Sequence, residues 1–521
     1  MKRTSFSYRR FKAFSATLIS YVENDPQLIG FSHGKPDPAS FTDALKRKSE
    51  HYSDTVRQTL TSQLERQHGE FPLHVSQIQN LKLLKQANTF SVSCGHQLVL
   101  GGGPMYMAFK ILSVVKLTEQ LKAEFPEHHF VPVFWMASED HDVEEIRSFS
   151  FFAQPYSIDV NGEGPVGRIT TDGIEGQLSA IKDFPEWMSS AFGQFKTMNE
   201  ATRAWLQSAF GDKGLLILDA DSAELKKELL PVLLKELQSD DSERKVLAAS
   251  AKLEAMGFKS QIHPRNVNLF YIKDHQRIRL ERTESGIRTL DGLLSWTMEE
   301  AISHFTAHPE ELSPNVCLRP LYSQILLPDV AFIGGPAEIA YWLQLKEVFD
   351  GFDVPFPLLV PRFSALYIPV SQNKKMAKLG LQTEDLILDE LAIRKKLVKP
   401  ETEIELPDLE KEYSALLEWA QKTDPTLVPA GKAELSKMAK MAEAFQKRIQ
   451  KSAEAKEEQK LKQVSQLWER FFPGGGLQER TESWLSFFVT DPDWLNKIYD
   501  AIEPLDFRFH ILEEEPEVPN A

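Results

Sequence analysis

The chemistry in this sequence concentrates at Ser138-Glu139-Asp140-His141-Asp142-Val143-Glu144-Glu145, where five carboxylates and one imidazole fall within seven positions. Like charges held so close are costly unless a cation answers them. The cluster could ligate Mg2+, hold an ammonium group, or take a proton while an amine attacks. Asp140, His141 and Asp142 are the first candidates for catalytic work, ahead of Glu144 and Glu145, and Asp140 and Asp142 are the candidates for a metal. The competing reading is a solvated acidic helix start, because carboxylates favour helix N-termini.

Two glycine-bearing stretches could bind anions. S-C-G-H-Q-L-V-L-G-G-G-P at 93–104 is a strand end, a glycine turn and a helix start, a place where backbone N–H groups can hold a phosphate or carboxylate. It matches neither the Walker pattern nor G-x-G-x-x-G, so a simple turn is the alternative. His96 could donate to a phosphate there or be a packing histidine, and Cys94, with no activating base in view, reads as structural. At 317–341, Arg319 could clamp a carboxylate, and Gly334, Gly335 and Pro336 make a second strand-to-helix turn. Glu338 lies in its first helical turn and Tyr341 one turn on. Arg362 and the H-P-R-N run at 263–266 are weaker candidates.

Positioning these residues requires an α/β core. Phe90–Cys94 and Val131–Ala137 read as buried strands around a helix from Met105 to Leu121, with Pro104 at its entrance. Strand, helix and strand in so few residues make a βαβ unit and hence a parallel sheet. Gly214–Asp219 leading into a helix near Ser222, and Ala331–Gly335 leading into a helix from Glu338 to about Phe349, extend the pattern to a doubly wound, Rossmann-like core. Phe41 to Leu84 reads as a polar helical scaffold with Leu60, Leu64 and Ile78 facing inward, and 155–205 as an insertion. Beyond the core, at 1–372, lies a helical region, 373–521, with a C-terminal tail. There an antiparallel hairpin from Leu409 to Phe472 is broken only at Pro425 and Pro429. Leu435, Met438, Ala442, Phe445 and Ile449, then Leu461, Val464, Trp468 and Phe471, step in a heptad-like way. The charged run 452–460 between them is a weak seam.

The chain has 521 residues and a formal charge of -15, which repels nucleic acid and anionic lipid. Met1–Lys12 lacks the apolar core of a secretory leader, and no apolar run of membrane-spanning length occurs. Two cysteines, Cys94 and Cys317, define no disulfide framework, so a reducing cytoplasm is expected.

Taken together, these stretches resemble the cysteine-adding enzyme family of bacillithiol biosynthesis, BshC. The shared blocks are Gly95-His96-Gln97 with Gly103-Pro104-Met105-Tyr106 and Lys110, W-M-A-S-E-D-H-D-V-E-E-I at 135–146, Arg319-Pro320 with Leu327-Pro328, G-G-P-A-E-I-A-Y-W at 334–342, and L-Q-E-R at 477–480. Two departures stand out: Cys94 replaces a frequent threonine, and L-G-G-G-P replaces F-T-G-P. The resemblance implies a Rossmann-like core with a coiled-coil domain that can serve as a homodimer interface. It also implies a ligase that joins L-cysteine to the amine of glucosaminyl-malate, forming an amide. Activation of the carboxylate is then needed, with ATP or another nucleotide and Mg2+ as candidates.

On that reading Gly95, His96, Gln97, Gly102, Gly103, Tyr106, Lys110, Ser138, Glu139, Arg319, Gly334, Gly335, Glu338 and Tyr341 bind substrate or nucleotide. His96 and Arg319 would stabilise negative charge, Asp140 or Asp142 would hold an amine or a Mg2+, and His141 would be the base. Two rival readings are a metal-dependent phosphohydrolase built on E-D-H-D and a scaffold whose coiled coil is the functional part.

Overall fold

The computed structural model of the chain describes residues 1–69, 71–273, 275–397 and 409–515. The expected βαβ unit is present: β1 (Thr89–His96), α1 (Met105–Glu124) and β2 (His129–Met136), with the strands parallel from Thr89 opposite His129 to His96 opposite Met136. After β2 come a short helix α2 (Val143–Arg147), a hairpin over 148–157 and a group of short helices. These precede β3 (Leu216–Asp219) and α3 (Ala223–Gln238), so residues 155–205 lie inside the connection from β2 to β3. An antiparallel sheet follows, containing β4 (Leu269–Lys273), β5 (Gln276–Thr283) and β6 (Leu312–Pro314). The chain then makes α4 (Arg319–Leu326), β7 (Asp329–Gly334), α5 (Pro336–Trp342) and β8 (Leu358–Pro361).

The core sheet runs β8-β7-β1-β2-β3 with every pair parallel. The chain therefore builds outward from β1 to β3, returns to the other side of β1, and builds outward again. The gap between β1 and β7 is a topological switch point, and ligands of open α/β sheets bind at the carboxyl ends of strands at such points. The single helix expected from Glu338 to about Phe349 is instead two, α5 and Lys346–Gly351. Between them the buried Gln344 amide donates to Ser250 Oγ and Ile262 O and accepts from the N–H groups of Gln261 and Ile262, which a continuous surface helix would not allow.

The polar helices of residues 38–84 have a definite task at the β3 edge. An edge strand exposes unpaired N–H and C=O groups. Here Ile217 N–H donates to His68 Nε2 (3.1 Å), Gln67 pairs with both the N–H and the C=O of Asp219, and Gln77 donates to Leu215 O. Arg203, from a later helix, donates to Ile217 O. Leu60 and Leu64 are fully buried as expected, whereas Ile78 is exposed, because Gln77 and Leu81 take the inward face of its helix. At the opposite edge Tyr21 donates to Leu359 O (2.7 Å).

The chain forms two compact units, one of Arg3–Leu366 with Leu477–Leu512 and the other of Tyr367–Gly476. In the first, the returning tail seals α1: Glu482 O accepts from Met105 N–H, Ser483 donates to Gly101 O and Trp484 to Gly102 O. In the second, α6 (Leu409–Thr423) and α7 (Val428–Lys456) pack as the expected hairpin, with Pro425 and Pro429 at its turn. The helix breaks at Glu457, inside the run read as a weak seam, before α8 (Glu458–Phe471). Leu461, Val464, Leu467 and Phe471 of α8 are buried, while Met438, Phe445 and Ile449 of α7 are exposed. Residues 398–408 and 516–521 of the expected helical region lie outside the described residues, as do the side chains of 453, 454 and 456. Among the described residues no helix is long and apolar enough to cross a membrane.

His68 must stay neutral to accept from Ile217, and burial, reinforced by Arg203, lowers its pKa to about 3. The unfolded chain takes up this proton below about pH 6.5, so the contribution is complete above that pH and is lost as pH falls towards 3. Urea unfolding of His68→Leu at pH 7.5 is expected to show a loss of about 1–3 kcal/mol, because the strand N–H is left unpaired. Between pH 7.5 and 5 its stability should fall less steeply than that of the wild type.

Candidate active site

A cavity of about 510 Å3 opens at the switch point. The end of β1 delivers Gly95, His96 and Gln97 to it, α1 delivers Tyr106 and Lys110, α4 delivers Arg319, and α5 delivers Glu338 and Tyr341. Asp140 and Gly335 complete the set of expected residues that converge there. A second cavity of about 550 Å3 continues from it along the 148–157 hairpin, sharing His96, Tyr106, Glu145 and Arg480 and adding Gly103. A third, of about 100 Å3, shares Ala137, Asp140 and Arg319 and adds Ser138, Glu139 and Arg277.

The adjacent acidic residues part company. Glu139 turns inward to Lys226 (2.7 Å), whose ammonium also meets Asp221 (2.9 Å). Burial raises the Glu139 pKa more than Lys226 lowers it. Asp140 lines both the central and the small cavity, accepts from Gln97 Nε2 (3.3 Å) and lies 3.7 Å from Arg277. His141 accepts from Arg277 at Nδ1 (2.9 Å) and lines none of the three cavities. Burial and Arg277 lower its pKa. Asp142, also outside them, caps α2 by accepting from Glu145 N–H. The sheet end is fixed below by Val166 N–H to Asp140 O and Gly167 N–H to Ser138 O, and a Cβ on Gly167 would meet Ser138 at 2.6 Å. Ser138 Oγ is committed to Asp219.

The two glycine turns carry packing and hydrogen-bond contacts of their own. Gly101 and Gly102 have φ of 64° and 74°, their carbonyls accept from the tail, and a Cβ on Gly101 would overlap the Phe149 ring. These glycines serve close packing, and Gly102 lines none of the three cavities; nor does Gly334. At the second turn Gly335 N–H donates to Glu338 Oε2 (2.8 Å), which also receives Lys110 (2.6 Å). Lys110 donates further to Gly95 O. Burial works to raise the Glu338 pKa, but Lys110 and the Gly335 N–H outweigh it and hold it low. Lys110 is therefore a strut between β1 and α5. Asp140 and Asp142 do not converge, and among the described residues no group of three or more His, Cys, Asp or Glu is placed to hold a metal.

His96 is not the anion donor expected of it. Its Nδ1 donates to Gln97 O and its Nε2 accepts from Tyr106 OH (2.9 Å), while burial, with help from Lys110, lowers its pKa to about 4. The cationic lining comes from Arg319, which donates to Tyr341 OH (2.9 Å), and from Arg480. The Gln97 amide holds both Asp140 and Glu145, which line cavities together with Arg319 and Arg480 respectively. Arg362, a weak sequence candidate, lies against the Tyr106 ring (4.9 Å) and donates to Glu479 (2.8 Å). Residues 263–266 reach none of these cavities. Sequence reasoning missed Arg277 and Arg480 and ranked Glu145 too low. Arg277 sits in R-I-R-L-E-R, an alternation that reads as an exposed strand, whereas Arg480 closes the L-Q-E-R block and was within reach. Cys94 and Cys317 are free and buried, and burial pushes Cys317 up to about 12, so neither is a reactive thiolate.

Fold and cleft define a Rossmann-like protein whose candidate ligand site is lined by both guanidinium and carboxylate groups. The chain belongs to the bacillithiol biosynthesis BshC family: its N-terminal Rossmann-like domain matches residues 1–363 and its C-terminal coiled-coil domain residues 365–514. A protein of Cytophaga hutchinsonii named "Putative cysteine ligase BshC" is 35% identical, covering 96% of each chain. A namesake in Flavobacterium psychrophilum is 33% identical over 98% of this chain and 99% of its own. Another, in Bacillus cytotoxicus, is 29% identical over 81% and 84%.

Removing either member of the buried Arg362–Glu479 pair is expected to cost about 3–5 kcal/mol in urea unfolding, because the other charge is stranded. The double variant Arg362→Met/Glu479→Gln should lose clearly less than the sum of the single changes.

Proposed function

We propose that this protein is the ligase that adds L-cysteine to the amine of glucosaminyl-malate, forming an amide. Family membership across both domains supports the reaction class. The observation that carries the site assignment is the pairing of Asp140 and Glu145 on one amide, in a cavity also lined by Arg319 and Arg480. Both reactants combine amine and carboxylate groups, and a cleft with opposed charges receives each end separately. Glu145 holds the acceptor's amine and Asp140 the ammonium of cysteine, while Arg319 and Arg480 hold carboxylates. Lys110, Glu338, His96 and Tyr106 keep the walls in place. His141, whose Nδ1 lone pair is taken by Arg277, positions Asp140 through that guanidinium. This is a different role from the base its sequence position suggests. The two unpaired cysteines suit work in the cytoplasm.

Mass spectrometry of the thiol pool in cells lacking the protein tests this. Glucosaminyl-malate should accumulate without bacillithiol, and re-expression of the wild type should reverse both. Asp140→Asn should fail to restore the thiol, whereas His141→Gln should restore at least a tenth of it. Equal failure of the two would return the base to His141, and normal bacillithiol in the deletion strain would remove the function.

The helical unit acts as a homodimer interface in this reading. Met438, Met441, Phe445 and Ile449 form an exposed apolar stripe stepping by 3 and 4 on α7, with Trp419 exposed on α6, and a second copy would bury it. Sedimentation of Phe445→Glu is expected to shift the protein from dimer to monomer at micromolar concentration, with the cleft still able to bind its ligands.

A further inference from the structure

Resting on that ligase reading, we infer that the cavity of about 100 Å3 is the subsite for the donor amino acid, and that it admits an L-α-amino acid with a side chain no larger than that of cysteine. Size comes first. At about 10–15 Å3 of accessible space per water-sized body, the chamber takes roughly seven to ten such bodies. That suits a three-carbon amino acid better than one with a benzyl or indole side chain. The neighbouring cavities, several times larger, are left for the bulkier acceptor.

Charge comes next. The chamber meets the central cavity at Asp140 and Arg319, the two groups that line both. Arg319 donates to the Tyr341 hydroxyl and has further N–H groups for a carboxylate at this mouth. The Asp140 carboxylate beside it receives the ammonium. The cysteine carboxyl then faces the larger cavity.

The inner wall selects the side chain. Its polar groups are already committed: Ser138 Oγ to Asp219, the Asn315 amide to Asn268 and Cys317 N–H, Glu139 to Lys226, and Arg277 to His141, Ser313 and Pro314. The remaining lining includes Met136, Ala220 and Val316. A thiol, a weak hydrogen-bonding group that behaves as a small hydrophobe, loses little there. A serine hydroxyl would exchange its water for groups already engaged elsewhere.

Equilibrium dialysis of radiolabelled L-cysteine and, separately, of glucosaminyl-malate against the full-length protein tests the assignment, each with and without the other compound. Val316→Trp fills the chamber from its more exposed side, and Val316→Leu provides a milder change. Circular dichroism confirms that each is folded. Cysteine should bind at least tenfold more weakly to Val316→Trp and less so to Val316→Leu, with glucosaminyl-malate affinity unchanged within twofold. L-alanine should compete with cysteine, L-serine roughly tenfold less well, and L-phenylalanine not at all. Cysteine binding indifferent to folded Val316→Trp and Val316→Leu, or phenylalanine competing as well as alanine, overturns the chamber assignment and leaves the ligase reading standing. Cysteine binding that Val316→Trp abolishes, in a protein that never binds glucosaminyl-malate, keeps the chamber and removes that acceptor. A wild type that binds no amino acid under either condition overturns the inference.

Discussion

The site hangs on one buried carboxylate. Glu479, nearly inaccessible to solvent, accepts from Arg362, Ser364 and the N–H of Ala365. A charge so placed is tolerated only with its hydrogen bonds complete. Through Arg362 the constraint passes to the Tyr106 ring, from the Tyr106 hydroxyl to His96, from His96 to the Gln97 carbonyl, and from the Gln97 amide to Asp140 and Glu145. Each member fixes the next in one orientation, so the carboxylate wall is set by an anchor on the far side of the cleft floor.

That arrangement explains how an acidic run can occupy one strand end without repelling itself apart. The chain turns just past the strand end, and the protein answers each residue separately: Lys226 for Glu139, Gln97 and Arg277 for Asp140, the α2 N-terminus for Asp142. Of the run Glu139–Asp142, only Asp140 reaches the central cavity. The result is a cleft of mixed polarity in a chain whose net charge is strongly negative, and local placement rather than total charge decides what can enter.

The sheet was legible because buried parallel strands are continuous apolar runs, as at Val131–Met136 and Ala331–Gly334. The place of the cleft followed from strand ends. Side-chain direction was not legible: nothing in the order Glu139, Asp140, His141, Asp142 says that one faces Lys226 and another caps a helix. Arg277 was hidden because its partners are 136 residues away in sequence, a separation no local pattern reports. The glycines at 101–103 looked like a ligand turn because close packing and ligand contact demand the same missing side chain, and only Phe149 and Trp484 distinguish them. Ile78 misled because polar residues that close a sheet edge break the apolar stripe of a helix.

The first unit is completed by Leu477–Leu512 only after the whole of Tyr367–Gly476 has intervened. Arg362 and Glu479 are 117 residues apart, so at about 5–20 residues per second a ribosome takes roughly 6–23 s to supply the second after the first. During that interval the nascent core carries a guanidinium with no counter-charge and an α1 entrance with no cover, while the helical arm is synthesised whole. Birth order thus runs opposite to dependence: the segment that locks the cleft leaves the ribosome only after the whole helical arm.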